Sequence, residues 1–176
     1  MNNKRFTLAF ALTLALALGL VGIAYADATV TISGGTLSVT GQSISFTASL
    51  TGADQTVYDN DAANWSAVDP TGTGAGWHIN ISATDFSDGS HTITVGNFKV
   101  KLDAGNIATV AGNTAPTSQI TSYTALSGTA QSLLSAALGA GMGTYTFVPD
   151  FSLDLAAETY AGTYTSTVTV AIIAGP

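Results

Sequence analysis

Trp77-His78-Ile79-Asn80-Ile81-Ser82-Ala83 alternates apolar and polar residues at every second position. That period places Trp77, Ile79, Ile81 and Ala83 on one side of an extended chain and the polar residues on the other, as in a strand with one buried face. Upstream the same period governs Val30/Ile32, Leu37/Val39 and Ile44/Phe46/Ala48/Leu50. Downstream it governs Ile93/Val95, Phe98/Val100/Leu102, Phe151/Leu153/Leu155 and a closing run of Tyr164, Ser166, Val168, Val170 and Ile172. Turn residues separate the runs at Gly34-Gly35, Thr40-Gly41, Asp88-Gly89 and Gly96-Asn97, the last predicting a hairpin between Ile93-Val95 and Phe98-Val100. Many short strands joined by polar turns predict an all-β protein, an antiparallel β-sandwich.

One stretch departs from this period. Ala130, Leu133, Leu134, Ala137 and Leu138 fall at helical spacing and Gly139 follows, which predicts a single short capping helix over 129–138. The stretches 51–76 and 104–119 are rich in Gly, Asp, Asn and Thr and read as long loops, where binding usually resides.

Composition narrows the function. The 176 residues carry 9% charged side chains, no cysteine and a net charge of −7. The four basic residues, Lys4, Arg5, Lys99 and Lys101, form no patch able to displace counterions from a phosphate backbone, so nucleic acid is excluded as a partner. Absent cysteine excludes disulfides, thiolate metal sites and a cysteine nucleophile.

Lys4-Arg5, the apolar stretch from Phe6 to Ile23 and the triplet Ala24-Tyr25-Ala26 together predict a secretory signal peptide over residues 1–26. Its removal leaves residues 27–176 as a single domain, with Lys99 and Lys101 against eleven acids and a net charge of −9. Such a chain has no attraction to anionic lipid, and no membrane partner is expected after cleavage. The sequence has no Leu-Pro-x-Thr-Gly sorting segment, so attachment to a cell surface is expected to be non-covalent.

Residues able to carry chemistry are few. His78 and His91 lie in no catalytic motif, and the acidic residues show no spacing that selects a pair, so the expectation is a protein that is not an enzyme. No cofactor is expected. Calcium is the one alternative, because Asp59-Asn60-Asp61 and Asp85 with Asp88-Gly89 group oxygen ligands in loops, although neither matches an EF-hand and Asx turns are the default reading. Trp65 and Trp77 are the candidate ligand-binding residues, since an exposed indole stacks on sugar rings. The alternating strand favours a core role for Trp77, and a loop position makes Trp65 the better ligand candidate, so Trp77→Ala is expected to cost more stability than Trp65→Ala.

Three stretches resemble WxL-domain surface proteins: Val68 to Phe86 around Trp77-His78-Ile79, Val148-Pro149 to Leu155, and Tyr160 to Val170 running on to Pro176. The likeness spans roughly 65–176. It implies an exported bacterial β-sandwich that attaches non-covalently to the cell wall. Two departures stand out: isoleucine replaces leucine in Trp77-His78-Ile79, and Val170-Ala171-Ile172 stands where a second Trp-x-Leu is expected.

Two functions follow. The first is a secreted structural or adhesive surface protein whose partners are other copies of itself, in which the strand carrying Val30 and Ile32 pairs within its own molecule by default or, by swinging at the hinge Gly34-Gly35, exchanges between molecules. The second is a module that binds peptidoglycan or another surface polysaccharide. The exported form is expected to begin at Asp27; mass spectrometry of the secreted protein tests this, and retention of Met1 or Lys4 would contradict it.

Overall fold

The computed structural model describes residues 28–59 and 63–176; the predicted signal peptide lies outside them. The chain divides into two compact units, Met1–Ile32 and Ser33–Pro176. In the first, Val30 and Ile32 are 80% and 86% exposed and belong to no strand.

The second unit is all-β. Its strands are β1 (Ser38–Thr40), β2 (Gln55–Tyr58), β3 (Trp65–Asp69), β4 (Trp77–Ala83), β5 (Phe86–Ser87), β6 (Thr92–Ile93) and β7 (Phe98–Lys101). There follow β8 (Ile107–Gly112), β9 (Thr117–Ser118), β10 (Thr124–Ala125), β11 (Gln131–Ala136), β12 (Gly143–Phe147), β13 (Asp150–Leu155) and β14 (Val168–Ala174). They form three four-stranded sheets, ordered β1-β3-β12-β8, β10-β7-β13-β2 and β14-β4-β11-β9, with β5-β6 as a separate ribbon. Every pairing is antiparallel. The predicted antiparallel sandwich is therefore correct.

Strand β4 is buried at alternate residues, Trp77, Ile79, Ile81 and Ala83, and has β14 on one side and β11 on the other. Its apolar face belongs to one core cluster with Phe98, Val100, Leu133, Leu134, Tyr145, Phe147 and Phe151. The sheets β1-β3-β12-β8 and β10-β7-β13-β2 are joined where the chain turns at Val148-Pro149, and Trp65 fills that corner with its ring 6.0 Å from Phe147 and 5.8 Å from Phe151.

Several expectations are corrected. The stretch 129–138 is not a helix: Gln131–Ala136 is strand β11. A bulge between Ser132 and Leu134 turns both Leu133 and Leu134 into the core, so two adjacent leucines imitate helical spacing, while Leu138, counted on the apolar stripe, is 79% exposed. The stretch 51–76 holds β2 and β3, and 104–119 holds β8 and β9. Strand β3 escaped the sequence pattern because its buried positions are Trp65, Ala67 and Asp69, only one of which is a large apolar residue. Asp69 accepts hydrogen bonds from the Thr71 amide at 3.0 Å and the Thr71 hydroxyl at 2.6 Å. Around Gly96-Asn97 there is no hairpin: Val95–Asn97 forms a 3-10 turn, Ile93 belongs to the β5-β6 ribbon, and Phe98 begins β7, which pairs with β13 and β10. The alternating run Ile44 to Leu50 is in no strand.

Trp65 is 3% exposed and Trp77 fully buried, so the asymmetry expected from a loop and a strand tryptophan is absent. Truncating either to alanine is expected to cost about 3–5 kcal/mol. Chemical denaturation of the two variants checks this, and a near-wild-type midpoint for Trp65→Ala would contradict the packing described.

Candidate ligand-binding cleft

Residues 41–50 lack strand pairing but are tied down where the Ser45 amide donates to Asp59 Oδ1 at 3.0 Å and where Gln55 Nε2 donates to the Ser49 carbonyl at 3.3 Å. Phe46 packs edge-on against Phe98 at 5.8 Å and against Phe86 at 6.4 Å, so this segment forms a wall that rests on the core through Ile44 and Phe46. Facing it is the turn from Ala156 to Tyr164. The Thr159 amide donates to the Ala156 carbonyl at 3.0 Å, Asp54 Oδ1 accepts from the Ala157 amide at 2.9 Å, and the Tyr164 hydroxyl donates to the Tyr160 carbonyl at 3.0 Å. Between the walls lies a half-open cleft of about 610 Å³, lined chiefly by Ile44, Phe46, Phe86, Ile93, Tyr160 and Tyr164. That volume suits a small ligand or one residue of a polymer.

Tyr160 is the cleft's exposed aromatic ring, 64% accessible, and it stacks on the His91 imidazole with centroids 4.0 Å apart and planes at 19°. His91 is positioned by Asp88, whose Oδ2 lies 3.0 Å from His91 Nδ1. Asp88 Oδ1 accepts the amides of Ser90 at 2.7 Å and His91 at 2.6 Å. These bonds, the His91 amide first, hold the Asp88 pKa down at about 2. Desolvation raises the Tyr164 pKa, which keeps its hydroxyl a donor. Beyond Tyr160 a second depression continues the cleft, sharing Ile93, Thr159, Tyr160 and Tyr164 with it and adding Thr92, Thr94, Asn97 and Glu158. The result is an aromatic floor edged by hydroxyl, amide and carboxylate groups. Both described lysines are already paired, Lys99 with Asp154 and Lys101 with Asp103 and Asp150.

The residues singled out in the sequence lie elsewhere or serve the backbone. Trp65 and Trp77 are buried, and neither offers a ring face to a ligand. Asp85 Oδ1 accepts the Val95 amide at 2.7 Å, and Asp88 closes the turn just described. Asp59 receives Ser45, while Asp61 lies outside the described residues. Among the described residues no three histidine or acidic side chains gather as a metal-binding group. Gly34 and Gly35 are not a free hinge: a Cβ on Gly34 would stand 2.1 Å from the Thr71 carbonyl oxygen, and the Gly35 amide donates to the Pro70 carbonyl at 2.8 Å. Sequence reasoning missed Tyr160 and its stack with His91 because that contact joins residues far apart in the chain, with no local pattern to announce it.

Comparison with known proteins follows the same line. The family model of the WxL domain, described as surface cell wall-binding, matches residues 19–174, and the chain belongs to this family. The match reaches well upstream of the 65–176 resemblance and places the protein at the cell surface. No curated protein and no solved structure matches the chain. Among the described residues no helix is long and apolar enough to cross a membrane.

Because the Asp88 pKa is lowered from 3.8 to about 2, the turn it closes is favoured at pH above 4 and released as pH falls through 2. The Ser90 and His91 amide shifts, followed by NMR through an acid titration, are expected to move with a midpoint near 2. A midpoint near 4 would show that Asp88 does not hold the turn.

Proposed function

We propose that this surface protein attaches non-covalently to a neutral polysaccharide of the cell wall, and that the cleft around Tyr160 holds the glycan. The observation that carries the reading is the family match over nearly the whole chain. The chemistry of the cleft supports it. A pyranose ring has an apolar face that packs on an aromatic ring and a rim of hydroxyls that need hydrogen-bonding partners. Tyr160 supplies an exposed ring already held by the His91 stack, and Asn97, Thr92, Thr94 and Glu158 supply partners beside it.

Charge favours a neutral polymer over an anionic one. The chain carries a net charge of −7, and Lys99 and Lys101 are paired with carboxylates, so a polyanion would meet repulsion without a free cation among the described residues. The two buried tryptophans are not part of the binding surface in this reading. The protein binds and orients; no step of bond making or breaking is assigned to it.

Tyr160→Ala is expected to weaken binding to isolated cell-wall sacculi about tenfold, the loss of one well-placed contact of about 1.4 kcal/mol. Its melting temperature should change little, since the ring is mostly exposed. Tyr58→Ala, which removes a 57% exposed ring that does not line the cleft, serves as the comparison and should bind as wild type. Equal binding by wild type and Tyr160→Ala would remove the cleft from the account.

A further inference from the structure

The outer edge of β14 has no hydrogen-bonded partner strand, with β1 approaching part of it, and the ladder shows which of its backbone groups point outward. Two hydrogen bonds flank the pairing with β4: the Thr84 amide to the Thr167 carbonyl at 3.0 Å, and the Gly175 amide to the Gly76 carbonyl at 2.9 Å. Both lie in the same register as Val168↔Ala83 to Ala174↔Trp77. In an antiparallel ladder hydrogen-bonded pairs alternate with non-bonded ones. Thr169, Ala171 and Ile173 therefore direct their amides and carbonyls at β4, and Val168, Val170 and Ile172 direct theirs away from it. Strand β14 pairs only with β4, and no hydrogen bond among the described residues takes up the outward groups.

The side chains tell the same story. Val168, Val170 and Ile172 pack against the core yet remain half-buried, whereas their partners across the ladder, Ala83, Ile81 and Ile79, are at most 2% exposed. The strand Val168-Thr169-Val170-Ala171-Ile172-Ile173-Ala174 has seven β-favouring or small residues, no charge and no proline, so it lacks the usual devices that protect an edge. The other terminal strands are shorter: β1 has three residues, β2 four, β9 and β10 two each, and the six-residue β8 is broken by a register shift.

The same chain carries a segment built to occupy such an edge. Ala28-Thr29-Val30-Thr31-Ile32-Ser33 alternates apolar and polar residues, is uncharged in an acidic protein, and leaves Val30 and Ile32 at 80% and 86% exposure with no strand partner. Within the second unit, Gly34 and Gly35 pack on Thr71 and Pro70.

We propose that residues 28–33 of one copy add to the β14 edge of a second copy, Val30 and Ile32 completing the cover over Val168, Val170 and Ile172. Donor and acceptor are different surfaces, so the contact is head-to-tail and propagates into chains or fibres instead of closing as a dimer.

Light scattering of the secreted protein across a concentration series, with negative-stain imaging, tests the proposal. Wild type should give masses that rise with concentration. Val30→Lys with Ile32→Lys, which alters no core residue, should reduce the particles to monomers while leaving the melting temperature unchanged. Val170→Pro removes an amide that points away from β4 and should block the acceptor in the same way; if that variant misfolds, the donor variant decides alone. A wild type that stays monomeric at high concentration, or a donor variant that assembles like wild type, would overturn it. Sacculus binding is a separate readout and should survive in the donor variant.

Discussion

The indole N–H of Trp77 donates to the Gly141 carbonyl at 2.9 Å inside the core, and one end of the sandwich is arranged around that bond. Left unpaired, a buried donor of this kind costs about 1–3 kcal/mol, so the loop carrying Gly141 is held where the indole needs it. Gly141 has φ of +73°, and a Cβ there would lie 2.7 Å from the indole nitrogen and 2.3 Å from the Ala136 Cβ, so glycine alone fits both the conformation and the space. Its own amide donates to the Thr114 carbonyl at 3.0 Å, and the Gly139 amide donates to Gly74 at 2.8 Å. Strands β4, β11 and β12 and the loop after β8 thus meet at a single side chain.

This constraint explains a division of labour. The tryptophan that opens the WxL-like element serves the fold, because strand β4 lies between two neighbours and its inward face has no access to solvent. The aromatic cleft is built instead by segments that the sheets leave irregular, residues 41–50 and the turn from Ala156 to Tyr164, and in the proposed function recognition falls to them. His78 illustrates the same economy: half-buried beside β14, its Nδ1 lies 2.8 Å from the Gly175 carbonyl and fixes the end of the chain to β4.

Period-two alternation was readable wherever large apolar residues carried it, as in β4, β7, β13 and β14. It failed where burial depended on small or polar residues, as at Ala67 and Asp69 of β3, whose place is set by pairing with β1 and β12. It misled where a bulge put adjacent Leu133 and Leu134 on one face. The reverse error occurred at Ile44 to Leu50, where alternation is present but no neighbouring strand offers a ladder. Surface character was legible in the sequence, and the family match bears it out. The cleft was not legible, since Tyr160 and His91 are brought together only by the folded chain.

Hydrogen exchange at the Trp77 indole, followed by NMR, tests the organising role of this residue most directly. Its N–H is expected to exchange as slowly as the most protected backbone amides of β4, opening only when the whole domain unfolds. Rapid exchange of that indole while the β4 amides stay protected would contradict the account.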